Sequence, residues 1–175
     1  KFNAEVNHID RLPDLMRQAF RSATSGTPGP VHIRLSGLHG GYIESMETDL
    51  VPVFEDHFMK VPAFRTKPEN ALIVKALEHL ISAKKPLIVA GGGIISSKAE
   101  TELVDFVEKL NIPVATSLNA KAVIVDNHPL SVGVLGTYSR SCANKIASEA
   151  DLIFFIGSHT GGQVTANWKL IKKNA

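Results

Sequence analysis

"PLIVAGGGIISS", residues 86–97, decides how the rest of the chain is read. An apolar run ends in three glycines, and two isoleucines and two serines follow. Six apolar or small residues without alternation suit a strand buried on both faces. The glycines suit a sharp exit from that strand into a helix. Ser97 and Glu100 carry the S-x-x-E spacing of a capping box, which predicts a helix to about Leu110. Its buried face is Leu103, Phe106, Val107 and Leu110. "IPVATSL" (112–118) and "DLIFFIG" (151–157) repeat the buried-strand pattern, and "SRSCANKIASEA" (139–150) predicts a helix between them. Residues 119–138 show no period. Strands apolar on both faces, alternating with amphipathic helices, predict an α/β fold: a Rossmann-like parallel sheet with helices on both faces.

Upstream, "PENALIVKALEHLISA" (68–83) predicts a helix with Pro68 in its first turn. Residues 10–25 place Leu12, Leu15, Met16, Ala19, Phe20 and Ala23 at helical spacing, and Gly26 suits the stop. "VHIRL" (31–35) alternates with period two, as a half-buried strand does. Residues 36–66 have no period and hold "SGLHGG" and scattered acids. A structureless stretch that long suits a linker better than the inside of a domain. The expected organisation is therefore a helix-strand piece over 1–36, a linker over 37–66 and a Rossmann-like domain over 67–175.

The totals exclude several functions. The 175 residues carry a formal charge of +2, with no basic stripe that would ask for nucleic acid. Lys169, Lys172 and Lys173 read as a solvated tail. No apolar run approaches the ~20 residues of a membrane span. The one cysteine, Cys142, excludes an internal disulfide and fits a reducing compartment, so a cytoplasmic location is expected. Cys142 repeats on the face of Ile146 and Ala150, which predicts core packing. The histidines show no H-x-x-x-H pair, so no metal site is expected. "Glu55-Asp56-His57" reads as a solvated linker turn. No nucleophile-and-base pair is present, and no residue receives a catalytic role.

What remains is the rim of the sheet. Ligands of such folds sit beyond the carboxyl ends of the strands. The loops after 91, 117 and 157 share that end, and their small residues predict one nucleotide-shaped groove. The dinucleotide fingerprint is a near miss: Gly91-x-Gly93-x-x-Ser96, then Asn119 where a carboxylate should face the ribose. An NAD(P)-binding oxidoreductase domain and a non-catalytic nucleotide-binding module both stay open on these residues, as does a tight turn without ligand.

The ordered segments resemble those of thiamine diphosphate enzymes, the group of acetolactate synthase and benzoylformate decarboxylase. "AFRSATSGTPGPVHIRL" (19–35) is similar to the end of their pyrimidine-binding domain. "KPLIVAGGGI" (85–94), "IPVATSLNAKAV" (112–123), "HPLSVGVLGTYS" (128–139) and "ADLIFFIGSHTGGQVTANW" (150–168) are similar to successive pieces of their central domain. The resemblance implies a fragment of an enzyme acting on 2-oxo acids, a carboligase or decarboxylase, with this segment its structural and nucleotide-holding part. It implies nucleotide contacts at Gly91, Gly92, Gly93, Ile94, Thr116, Ser117, Leu118, Asn119, Leu135, Gly136, Gly157, Ser158 and His159. In one branch the ligand is FAD and in another an adenine nucleotide. Thiamine diphosphate and Mg2+ are implied for the parent enzyme at sites outside this segment, since no G-D-G motif occurs here. The remaining domains of the same enzyme are the implied partners. The helix-strand piece would lack its parent sheet, which predicts a homo-oligomer.

Overall fold

The computed structural model describes residues 1–35 and 49–171, which divide into two compact units, 1–66 and 67–175. The first part of the expected linker and the tail lysines Lys172 and Lys173 lie outside the described residues.

In the first unit, β1 (Phe2–Val6) pairs in parallel with β2 (Val31–Leu35). The helix α1 (Leu12–Thr24) connects them, with Pro13 in its first turn and Ser25 and Gly26 ending it. Val31–Leu35 thus has one neighbouring strand within the chain, Phe2–Val6, paired with it residue for residue. Val6, Leu15 and Ala19 form the buried seam between helix and strands. Residues 49–66 fold back on α1. Arg21 donates from Nε to Glu55 Oε2 at 2.6 Å and from its second nitrogen to Oε1, and its guanidinium lies 5.5 Å over the Phe58 ring. Ala63 N–H donates to Thr24 O at 3.3 Å. Glu55 is therefore an ion-pair partner rather than a purely solvated turn residue. The paired Arg21 lowers its pKa, through the hydrogen bond first and the charge second.

The second unit is the α/β body. Its elements are α2 (Asn70–Ser82), β3 (Pro86–Ala90), α3 (Gly93–Ser97), α4 (Glu100–Leu110), β4 (Val114–Thr116), β5 (Ser131–Val134), α5 (Ser141–Glu149), β6 (Leu152–Ile156) and α6 (Gly162–Thr165). The strands form one parallel sheet in the order β5-β4-β3-β6. Along β3 the side chains alternate between two cores. Ile88 and Ala90 pack with Leu80 of α2, with Leu103 and Val107 of α4, and with Val114. Leu87 and Val89 pack with Ala115, Leu135, and Ala143 and Ala147 of α5. Helices thus cover both faces. All four of Leu87–Ala90 are fully buried. At roughly 1.5–3 kcal/mol for each large side chain, this strand is the unit's main apolar anchor.

Three local expectations are corrected. The sequence before α4 does not form the capping box. Lys98 adopts a left-handed conformation (φ 51°), which ends α3 at Ser97, and α4 starts at Glu100 behind Ala99 with no side-chain cap. Residues 119–138 are not wholly irregular, because β5 lies within them. It is four residues long with Gly133 at φ 87° and a register shift opposite Val114/Ala115, too short and bent to show a period. Cys142 is exposed rather than core. The buried residues of α5 are Ala143 and Ala147, one position round the helix from the expected face.

Candidate functional site: the carboxyl rim of the parallel sheet

The strand order places a reversal at β3. From β3 the chain steps outward to β4 and β5, then returns to β6 on the other side. In open α/β sheets that reversal marks the ligand crevice. Here it lies between the exits of β3 and β6, the two glycine loops singled out from the sequence.

Those loops are packed on each other, backbone to backbone. Gly91 N–H donates to Ile156 O at 2.8 Å and Gly93 N–H to Gly157 O at 2.8 Å. A Cβ on Gly91 would stand 2.2 Å from Gly157 O, and one on Gly93 would stand 2.7 Å from Gly157 Cα. Gly157 itself takes φ 62° to make the turn. Ile94 N–H donates to Gly91 O at 3.0 Å, and its side chain is buried. A phosphate cradle needs free N–H groups at a helix start. Here the amides of Gly91, Gly93 and Ile94 are already committed, and α3 is one turn long. Glycine is required at these positions by close approach of the chain to itself.

Gly92 differs from its neighbours. Its backbone is right-handed helical (φ −59°), and an added Cβ would meet only Asn119, its Cβ at 3.7 Å and its carbonyl oxygen at 3.8 Å. The β4 exit therefore faces it. Thr116 is buried, Ser117 N–H donates to Ala90 O at 2.8 Å, and Leu118 and Asn119 stand exposed in a single helical turn.

The β5 exit is closed by the segment that follows β6. Leu135 is buried, and its N–H donates to Thr116 O at 2.9 Å. Gly136 (φ 105°) is gripped by Asn144 of α5, which accepts from Gly136 N–H at 3.0 Å and donates to Gly136 O at 3.1 Å. A Cβ there would fall 1.9 Å from Gln163 O, and Thr137 N–H donates to that same oxygen at 2.8 Å. In seven residues, Gly157 to Gln163, the chain thus passes from the exit of β6 to that of β5. Val164 and Thr165 are buried at the end of this crossing, Val164 within the α5-side core.

The thirteen candidates consequently separate. Gly91, Gly93, Ile94, Thr116, Leu135, Gly136 and Gly157 are taken up by packing and internal hydrogen bonds. Gly92, Ser117, Leu118, Asn119, Ser158 and His159 remain on the rim, half-buried or exposed. The sequence could not make this separation, because a glycine that meets a ligand and a glycine that meets another backbone look alike. It also missed Asn144, whose signal is only an amide on a helix opposite a predicted loop. Among the described residues no group of three metal-ligating side chains comes together, and no helix is long and apolar enough to cross a membrane.

Comparison with known proteins follows this geometry. Residues 73–175 match the family model for the thiamine pyrophosphate enzyme central domain. The chain is 36% identical to a "Probable acetolactate synthase large subunit" of Methanococcus aeolicus, over 100% of this chain and 29% of the relative. It is 34% identical to the acetolactate synthase isozyme 1 large subunit of Escherichia coli K12, over 90% of this chain and 26% of the relative. A solved structure from Mycobacterium smegmatis, described as thiamin diphosphate-dependent, superposes with TM-score 0.66 at 22% identity, covering 91% of this chain and 29% of its own. That structure supports the fold. The chain spans less than a third of the length of these relatives.

Proposed function

Because the chain belongs to the thiamine pyrophosphate enzyme family, in which it carries the central domain, we propose that it is a segment of an acetolactate synthase-like enzyme acting on 2-oxo acids. Residues 67–175 are its central domain, residues 1–36 the closing helix and strand of a pyrimidine-binding domain, and residues 37–66 the connection. The observation that carries this reading is the match over residues 73–175. Thiamine diphosphate with Mg2+, bound elsewhere in the full chain, would supply the carbanion chemistry. No residue described here holds a reacting atom. The segment's contribution is to fix the spacing of its neighbours, through a sheet whose central strand is fully buried.

The residues present fit a nucleotide poorly at the glycine run. The amides of Gly91 and Gly93 are spent, and Asn119 stands where a ribose-binding carboxylate would be. The oxidoreductase reading loses its main support on the same two points. Where the full chain holds FAD or an adenine nucleotide, contact falls to Gly92, Ser117, Leu118, Asn119, Ser158 and His159, through side chains and exposed backbone rather than a phosphate cradle. Association into a homo-oligomer and a cytoplasmic location belong to the same proposal.

The test is turnover of pyruvate by the natively expressed full chain with thiamine diphosphate and Mg2+, beside residues 1–175 alone. Carboligation or decarboxylation by the full chain and none by the segment is expected. An inactive full chain, or an active segment, would overturn the reading. Native mass spectrometry of the same sample reads directly whether a flavin or an adenine nucleotide travels with it.

A further inference from the structure

A histidine ring holds the entry of β5. Among the described residues this strand stands at the edge of its sheet, paired with β4 alone. The turn before it is tied by the backbone of His128, whose N–H donates to Val125 O at 3.0 Å and whose carbonyl accepts from Ser131 N–H at 2.9 Å. Leu130 packs against the core on the α4 side, and its carbonyl accepts from Val114 N–H at 2.8 Å, where β4 begins. Its own N–H donates to Nδ1 of His128 at 3.1 Å. The other ring nitrogen, Nε2, lies 3.0 Å from Oε1 of Glu108, in the last turn of α4. The His128 side chain is only 13% exposed, so the ring cannot swing freely into water.

The two partners fix the proton. A backbone N–H can only donate, so Nδ1 presents its lone pair. An ionised carboxylate can only accept, so the hydrogen of the ring is on Nε2. The ring is therefore neutral in this arrangement. Charging it adds a hydrogen to Nδ1, which then faces the Leu130 N–H donor against donor. Glu108 meets the new charge and keeps the ring in place, so the bond that breaks is that of Leu130. Among the described residues Glu108 is the one acidic partner of the ring. Lys109 on α4 and Asp126 on the turn are exposed and form no ion pair with the ring or with Glu108, and β4 brings the apolar Val114 to Leu130.

We propose that His128 is an acid-sensitive latch on the edge strand. Neutral, the ring ties Leu130 and the start of β5 to α4. Charged, it releases Leu130 and stays with Glu108. Histidine is the side chain whose ordinary change of charge falls between pH 5 and 8. The strand is four residues long, so a loosened entry lies close to the Leu135–Gly136 exit on the rim.

The test is hydrogen exchange of the natively expressed full chain from pH 8 to pH 5, read by peptide mass spectrometry with residue-level fragmentation. Slow exchange of the ring C2–H reports the charge of His128. Amide exchange in parallel samples, corrected for the intrinsic effect of pH, reports the Leu130 bond. Leu130 protection should fall about tenfold, the worth of one hydrogen bond, over the pH range in which the ring charges, while Val89 in β3 is unchanged. His128→Asn sets an amide oxygen near the place of Nδ1, able to accept from the N–H two residues on and unable to titrate. Its Leu130 protection should not change between pH 8 and pH 5. Unchanged protection at Leu130 while the ring charges, the same acid loss in His128→Asn, or a ring that stays neutral down to pH 5 would overturn the proposal.

Discussion

Replacing the three consecutive glycines by alanine, one at a time, separates loop packing from ligand binding. At Gly91 the new methyl would stand 2.2 Å from Gly157 O and 2.3 Å from Ser158 Cα. Neither atom can swing aside as a side-chain tip can, so the β3 and β6 exits must part. Overpacking alone costs about 1–3 kcal/mol. The N–H bonds from Gly91 to Ile156 and from Gly93 to Gly157 would stretch with it, at about 0.5–1.5 kcal/mol each. Gly91→Ala should therefore lose about 2–6 kcal/mol, a large part of the about 5–15 kcal/mol that holds a typical domain. Gly93→Ala meets Gly157 Cα at 2.7 Å and should lose somewhat less. Gly92→Ala has ordinary contact distance and a helical backbone, so it should be neutral or gain about 0.5 kcal/mol through the unfolded chain. Urea denaturation followed by circular dichroism reads all three. Equal effects at the three positions, or the largest loss at Gly92, would refute the packing argument.

Three further outcomes follow from single side chains. Asp151 accepts from the N–H groups of Lys84 and Lys85, both at 2.8 Å, and these bonds hold its pKa below the ordinary carboxylate value. Its contribution is present above the unfolded carboxylate value of about 3.9 and disappears as pH falls through the lower folded value. Asp151→Asn should thus be less stable at pH 6 and show a shallower acid decline in urea midpoints between pH 6 and pH 2. Asn144→Ala removes both bonds to Gly136 and leaves a part-buried peptide unpaired, so a loss of about 1–3 kcal/mol is expected by thermal denaturation. Cys142 is exposed, with its thiol donating to Val132 O at 3.4 Å, so a thiol reagent should modify it at native pH without denaturant, but more slowly than in the unfolded chain.

The strands and helices of the second unit were legible because they bury apolar surface on a clear period. Leu87–Ala90 must be covered on both sides, and no water-facing arrangement competes. The elements that escaped are those held by backbone geometry or by distant partners. The strand Ser131–Val134 depends on a left-handed glycine and a bulge. The break between α3 and α4 depends on Lys98 adopting a conformation its sequence does not announce. "FNAEV" at residues 2–6 did alternate, but five residues at the start of a chain carry little weight without a visible partner strand. At the rim, residue type pointed to the right loops and could not say what each glycine touches. The distances from Gly91 and Gly93 to Gly157 decide that, and they are a property of strand order.

Amide hydrogen exchange by NMR across residues 90–94 tests the central claim most directly. The account predicts that the amides of Gly91 and Gly93 exchange with the protection of the core strands, and that ADP or FAD leaves their resonances in place. Rapid exchange at both positions, or resonances that move on nucleotide addition, would contradict it and restore the glycine run as a phosphate cradle.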